Sequence, residues 1–451
     1  MAASRTAFVC QACGYRASGW LGRCPECGGW STLVEETLPQ AGAKRKRAAA
    51  AGAAIVPLGG VETDRVARSA TGSAALDRVL GGGLVRGGTV LLAGEPGIGK
   101  STLLLQTAAH LVAAGCSVAY VSAEESPRQL RLRAERLAVA GSAVGVLGES
   151  DLEAIVASVE AAAPDVLLVD SVQAVRSEEL ESPAGSIGQV RHVAQRLCAA
   201  AKRSERSLVL VGHVTKEGSI AGPKALEHLV DTVLTFEGDP ESDHRLLRAS
   251  KNRYGPTGEI ALYEMRDSGL VEVADPSQAF LARRRVGAPG SAVLATLSGT
   301  RPLLVETQAL VHPTNFPSPR RMAVGLDSNR VVLLVAVLER FARLALADRD
   351  VFLNVVGGLA LREPAADLAV AAALISACEG VALPADAVFL GEIGLLGEVR
   401  PVGGLEPRLR EAAAHGFRRA FAPPGSARGG RELDVVEVAT VEELAARIRQ
   451  R

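Results

Sequence analysis

Between residues 61 and 275, short runs of consecutive apolar residues alternate with longer stretches whose apolar positions recur every three or four residues. The runs are 89–93 (TVLLA), 117–122 (SVAYVS), 166–170 (VLLVD), 207–212 (SLVLVG) and 232–236 (TVLTF). A run apolar on both faces suits a strand covered on both sides, and strands separated by helices suit a parallel sheet. The pattern therefore predicts an α/β core. It breaks at 275–289, where Arg283, Arg284 and Arg285 precede Gly287, Pro289 and Gly290. Beyond the break, 290–451 has helical periodicity at 331–346 and 368–378, with β-type runs between and turns at Gly357-Gly358 and Gly403-Gly404. That is the length of one α/β or α+β domain, and no repeat is visible.

The first 34 residues follow neither period. They carry Cys10-x2-Cys13, ten residues, and Cys24-x2-Cys27. Two such knuckles place four thiolates tetrahedrally around one metal. Gly14, Gly28 and Gly29 follow the second cysteine of each pair and suit the tight turns. Ligand softness favours Zn²⁺, with iron the alternative for the same donors. Four protein ligands close the site, so its predicted role is structural. Trp20 and Trp30 are expected to form the small core of this unit. The ribbon suits DNA or protein equally. Residues 35–60 are Ala-rich, include Lys44-Arg45-Lys46-Arg47, show no amphipathic period and are predicted to be a linker.

Composition narrows the picture. The chain has 451 residues, about three domains' worth. Lys+Arg and Asp+Glu are 50 each, which excludes coating of nucleic acid by bulk charge but not local basic patches. Aromatics are 3%, too few for a row of base-stacking platforms. The apolar run at 331–338 falls far short of the ~20 residues of a membrane helix, and no secretory apolar region precedes Cys10. No membrane association and a cytoplasmic location are expected. Only seven basic residues are lysines: Lys44, Lys46, Lys100, Lys202, Lys216, Lys224 and Lys251.

The chemistry starts after the first core strand. Gly94, Glu95, Pro96, Gly97, Ile98, Gly99, Lys100, Ser101 and Thr102 fit GxxxxGK[ST] between a strand and a helical run at 103–110. The glycines let backbone N–H groups approach phosphates, Lys100 is expected to reach the β/γ-phosphates of ATP, and Ser101 to ligate Mg²⁺. Asp170 ends the strand at 166–170 and suits the second carboxylate on the Mg²⁺ side. Glu124 follows the strand at 117–122 and is the first choice for polarising the attacking water, with Glu125 the alternate. His213 ends the strand at 207–212 and is either a γ-phosphate sensor or a satisfied core histidine. The Gly-rich segment from Lys216 to Lys224 suits contact with a phosphate backbone.

The ribbon, the phosphate loop, GHVTKEGSIAGPKALEHLVDTVLTFEGD from Gly212 and KNRYG from Lys251 together resemble the bacterial RadA (Sms) family of DNA-repair proteins over essentially the whole chain. Tyr254 stands where the family usually has Phe. The resemblance implies a RecA-like P-loop ATPase core with an N-terminal zinc ribbon and a C-terminal Lon-protease-like α/β domain, assembled as a homohexamer like DnaB-type helicases. It implies a DNA-dependent ATPase of recombination and repair that promotes branch migration on single-stranded DNA with the RecA recombinase. It gives Lys251 and Arg253 a role in DNA work, as a basic pair reaching the neighbouring subunit's γ-phosphate, and it points segments 186–192 and 215–223 at DNA. The domain division is then 1–34 ribbon, 35–60 linker, 61–275 motor and 290–451 scaffold.

The C-terminal resemblance to the Lon proteolytic domain rests on Val355-Val356-Gly357-Gly358, on Glu363-Pro364-Ala365-Ala366-Asp367 and on the segment from Gly397 to Leu405. Lon uses a serine whose proton passes to a lysine. Ala365 fills the serine slot here and Glu406 the lysine slot, and no lysine follows Lys251. No protease activity is expected, and ring assembly is the expected role, with extra DNA contact by Arg320, Arg321 or Arg330 a secondary expectation. The alternative to a DNA motor is a RecA-like signalling or switch ATPase acting on a protein.

Overall fold

Strands that are apolar on both faces need cover on both faces, and the core of the first unit is built that way. The computed structural model describes residues 6–10, 15–26, 28–37, 57, 68–213, 226–238, 243–314, 316, 318–426 and 433–450. The chain divides into two compact units, Met1–Glu272 and Val273–Arg451.

The central strands of the first unit are β1 (Thr89–Gly94), β2 (Val118–Ser122), β3 (Gly145–Leu147), β4 (Val166–Asp170), β5 (Ser207–His213) and β6 (Thr232–Glu237). They are all parallel, in the spatial order β6-β1-β5-β4-β2-β3. Side chains alternate between faces: Val90 and Leu92 of β1 join one buried cluster and Leu91 and Ala93 the other. Helices α1 (Ala74–Leu80), α2 (Lys100–Ala113) and α3 (Pro127–Arg136) cover the first face, and α4 (Leu152–Ala162) and α5 (Ile187–Arg203) the second. Their starts are written in local chemistry. Ser126 and Gln129 form a reciprocal capping box with Pro127 in the first turn, while Asp151 and Ser186 cap α4 and α5.

The alternation of strand and helix does not continue to 275. After β6 the sheet is extended by antiparallel β7 (His244–Asn252), β8 (Ile260–Arg266) and β9 (Gly269–Glu272). The turns between these strands are too short for a crossover helix, so the strands must reverse. The break predicted at 275–289 is also partly helical. Asp275 caps α6 (Pro276–Leu281), accepting from the Gln278 N–H at 2.9 Å, and this helix belongs to the second unit. An Asp-Pro pair is a helix start, and here it outweighs the nearby breakers.

The cysteine unit carries a three-stranded antiparallel sheet of Arg16–Ala17, Thr6–Cys10 and Leu33–Thr37. Its buried cluster is Cys10, Cys24 and Leu33, with Phe8, Tyr15 and Ala17 packed against it. The tryptophans are not in this core. Trp20 is 61% and Trp30 73% exposed, Trp30 lying beneath the Arg23 guanidinium. The unit is too small to enclose an indole, and half-buried smaller side chains fill the space instead. Cys13, Cys27 and nearly all of the linker lie outside the described residues.

The second unit holds a seven-stranded mixed sheet: β10 (Ser291–Ser298), β11 (Arg301–Pro313), β12 (Arg321–Val324), β13 (Arg349–Val355), β14 (Ala387–Phe389), β15 (Arg419–Ala422) and β16 (Asp434–Glu437), in the order β12-β13-β11-β10-β14-β15-β16. Helix α7 (Ser328–Phe341) ends five residues before its predicted limit, just ahead of Arg343 with φ +56°. Helix α8 (Asp367–Glu379) is apolar all round, and Leu368 to Ile375 are each at most 1% exposed. It packs on β11 and β10 on one side and on α10 (Val441–Arg449) on the other, as an apolar cylinder must.

His415 caps the C-terminus of α9 (Leu405–Ala414). Its Nδ1–H donates to the Glu411 carbonyl at 2.9 Å and its Nε2–H to Asp275 Oδ2 at 3.0 Å. Burial opposes the charged ring, but these two acceptors outweigh it and raise the His415 pKa. A pKa raised on folding stabilises at pH below the unfolded value of about 6.5 and is lost as pH rises through the folded one. The melting temperature of the wild-type second unit is therefore expected to fall from about pH 6 to about pH 8, and His415→Gln to flatten that slope. Parallel thermal melts check it, and equal slopes would refute it.

Candidate active site

Parallel pairing places His213 opposite Gly94 and Ser122 opposite Asp170. The C-terminal ends of β1, β2, β4 and β5 thus share one edge of the sheet, the place where open α/β sheets bind ligands.

The phosphate loop runs from β1 into α2. Gly97 takes φ +78° and Gly99 φ +113°, a region that favours glycine. A Cβ on Gly94 would fall 2.7 Å from the Phe236 carbonyl oxygen. Glu95 is half-buried and Pro96 exposed, whereas Ile98 is buried in the core and anchors the loop. Ser101 and Thr102 lie in the first turn of α2, whose N-cap Gly99 offers no side chain to its N–H groups. Those N–H groups and the helix dipole suit an anion. Lys100 is 4% exposed, and its Nζ donates to the carbonyls of Gly94 at 2.9 Å and Glu95 at 2.8 Å. Burial pushes its ammonium pKa down to about 8, against the opposing charges of Asp170 and Glu124.

Across from the loop stand two carboxylates. The Tyr120 hydroxyl, fully buried on β2, donates to Asp170 Oδ2 at 2.7 Å. Glu124 Oε1 accepts from the Ser171 hydroxyl and from His213 Nε2–H, the latter at 3.0 Å. The His213 hydrogen bond does most to hold the Glu124 carboxyl down at about 2. Burial opposes it, and the Ser171 hydroxyl and the charges of His213 and Lys100 assist it. Glu124 therefore stays ionised. Glu125 turns away into an ion pair with Arg133 of α3. His213 is no core histidine: its side chain is 29% exposed at the sheet edge, and Nδ1 has no hydrogen-bond partner among the described residues.

Lys251 and Arg253 are not brought to this edge. β7 runs antiparallel to β6, so its last residues lie beside Thr232, where β6 begins. Arg253 Nη1 donates to Asp231 Oδ1 at 3.1 Å, and Asp231 in turn holds Thr89, where β1 begins. Five residues at about 3.3 Å each separate that end of β1 from the phosphate loop. Lys251 Nζ donates to the carbonyls of Glu227 and Val230 at 2.5 and 2.7 Å. Asp231 is held below the ordinary carboxylate range; burial opposes this, and hydrogen bonds from Thr89 and Lys202 outweigh it.

Of the segments predicted to face DNA, 215–223 lies outside the described residues. In 186–192, Ser186 caps α5 and Gln189 is buried, its amide donating to the carbonyls of Ser177, Leu180 and Ser182. Only part of that segment can touch a ligand, and Arg191 is its exposed cation. Cys10 and Cys24 are buried at 0% and 1%. The Cys10 N–H bonds the Tyr15 carbonyl, and the Cys24 carbonyl accepts from the Gly28 N–H. Turns of this kind and soft sulfur donors fit zinc.

In the second unit Ala365 is 2% exposed and Glu406 pairs with Arg410 at 2.8 Å. The two motifs are joined by buried Arg408, which grips Glu363 through both Nη1 and Nη2 and donates to the Ala295 carbonyl at 2.6 Å. Arg330 pairs with buried Asp367, and Arg321 donates to the carbonyls of Leu346 and Arg349. Both are structural here, and Arg320 stacks over Phe316 with its guanidinium carbon 4.1 Å from the ring centroid. Among the described residues no helix is long and apolar enough to cross a membrane. Sequence reasoning missed Tyr120, Ser171 and Asp231, whose partners are distant in the chain.

Three families match parts of the chain: the AAA domain at 58–219, the rubredoxin metal binding domain at 8–35, and subunit ChlI of Mg-chelatase at 323–426. A curated relative from Bacillus subtilis (strain 168), "DNA repair protein RadA", is 46% identical across 100% of this chain and 99% of its own. The namesake from Aquifex aeolicus (strain VF5) is 48% identical over 94% of each. A solved RadB recombinase covers 46% of this chain and 99% of its own at 25% identity, with a TM-score of 0.37. Full-length identity at this level is decisive: the chain belongs to the RadA family of DNA repair proteins, ATPases with a RecA-like core, an N-terminal zinc ribbon and a Lon-like C-terminal domain.

Proposed function

We propose that this protein is a DNA-dependent ATPase of homologous recombination and repair, a hexameric motor that promotes branch migration on single-stranded DNA together with the RecA recombinase. The observation that carries the ATPase part is the meeting of Lys100, Asp170, Glu124 and His213 at one sheet edge. Gly94 to Thr102 cradle ATP, with Lys100 on the β/γ-phosphates. Ser101 and Asp170 suit Mg²⁺, which when bound neutralises charge on the phosphates. Tyr120 occupies one Asp170 oxygen and so fixes how the other faces the site. Glu124, ionised and aimed by Ser171 and His213, orients the attacking water and accepts its proton.

Arg253 supports the ring reading. It stands about a strand's length from its own phosphate loop, so it can stabilise phosphate charge only in a neighbouring subunit. Cys10, Cys13, Cys24 and Cys27 hold Zn²⁺ in the ribbon at 1–34, tethered by the linker at 35–60 to the motor. The second unit, whose Ala365 and Glu406 lack a protease's hydroxyl and amine, is the ring scaffold.

The deciding experiment is steady-state ATP hydrolysis against increasing single-stranded DNA. Stimulation that fades with salt supports the motor; turnover indifferent to DNA favours a switch ATPase acting on protein. Lys100→Ala is expected to abolish hydrolysis and leave both units folded. Glu124→Gln is expected to lose at least about a hundredfold in turnover and Glu125→Gln only a few-fold. Equal losses from the two glutamates would overturn the assignment.

A further inference from the structure

Six of the seven lysines lie in the linker, the phosphate loop, the Gly-rich segment or KNRYG; Lys202 alone has no part in them. The structure places it at the C-terminal end of α5, with Nζ 3.1 Å from Asp231 Oδ1. The same oxygen accepts from Arg253 Nη1, also at 3.1 Å. Oδ2 accepts from the Thr89 hydroxyl at 2.7 Å and the Thr89 N–H at 3.2 Å. The Asp231 side chain is 3% exposed, whereas those of Lys202 and Arg253 are 46% and 58% exposed. One buried carboxylate therefore carries two solvent-facing cations on one oxygen.

A buried carboxylate needs one cation, and stripping its last one is heavily penalised, whereas removing one of two is not. The two cations differ in what else they can do. Arg253 spends one N–H on Asp231 and keeps a planar fork suited to phosphate. Its motif partner Lys251 is tied to two carbonyls and serves as an anchor.

We propose that Lys202 is a positioning residue for Arg253: it holds Asp231 while Arg253 swings onto the nucleotide phosphates of a second copy of this chain. The inference rests on the reading that Arg253 acts across a subunit boundary. With Lys202 in place, the guanidinium leaves without orphaning a buried charge. Without it, Arg253 becomes the only counter-ion and is retained.

The test is a set of full-length variants assayed for ATP turnover with single-stranded DNA, for binding of a fluorescent ADP analogue and for thermal melting. Lys202→Met is expected to lower turnover about tenfold while nucleotide affinity and melting stay at wild type, and Lys202→Arg to retain turnover. Adding Asp231→Asn to Lys202→Met is expected to recover turnover to within about threefold, because a neutral amide demands no cation. In an Arg253→Ala, Asp231→Asn background, where neither the guanidinium nor the buried charge remains, Lys202→Met is expected to change turnover no further. Wild-type turnover by Lys202→Met overturns the proposal, as does an equal loss in both backgrounds, which marks a role in stability alone. Wild-type turnover by Arg253→Ala itself refutes the trans reading underneath, and the proposal with it.

Discussion

The chemistry of the first unit depends on one constraint, the parallel register of β1, β5, β4 and β2. Because His213 pairs with Gly94 and Ser122 with Asp170, every group that can meet a nucleotide arrives at the same height. A slip of one residue in any of these strands would turn its side chains to the other face, and both buried clusters would be broken at once. The helices that fill those clusters, α2 on one face and α5 on the other, hold the register. The core and the site are thus a single arrangement. The same register sends the residues that start the strands to the far end, where Thr89, Asp231 and Arg253 form a second polar centre.

The phosphate loop and the cysteine ribbon were legible because each is local: a few adjacent residues carry the whole signal. The choice between Glu124 and Glu125 was not, since it turns on Arg133 claiming one of them and Ser171 with His213 the other. Nor was the place of KNRYG, which follows from β7 running backwards along β6. A sequence period marks a strand without its direction. The tryptophans failed for a related reason: apolar bulk predicts burial only where there is a core large enough to take it.

The second unit shows how a fold outlives its chemistry. The segments bearing Ala365 and Glu406 are held by Arg408 and Glu363, a pair further braced by Thr296, the Leu297 N–H and the Ala295 carbonyl. A half-exposed amine poised to titrate would serve a nucleophile. An arginine that stays charged, with its fork filled, serves only architecture. The site has exchanged reactivity for a permanent clamp.

Trp20 and Trp30 are the chain's two tryptophans, and both sit exposed in the cysteine unit. Tryptophan emission therefore arises wholly from that unit. The motor and the C-terminal unit are dark in this channel, with only tyrosine and phenylalanine to absorb. The native protein is labelled at one end without modification, and a solvent-facing indole responds to whatever comes to lie upon it.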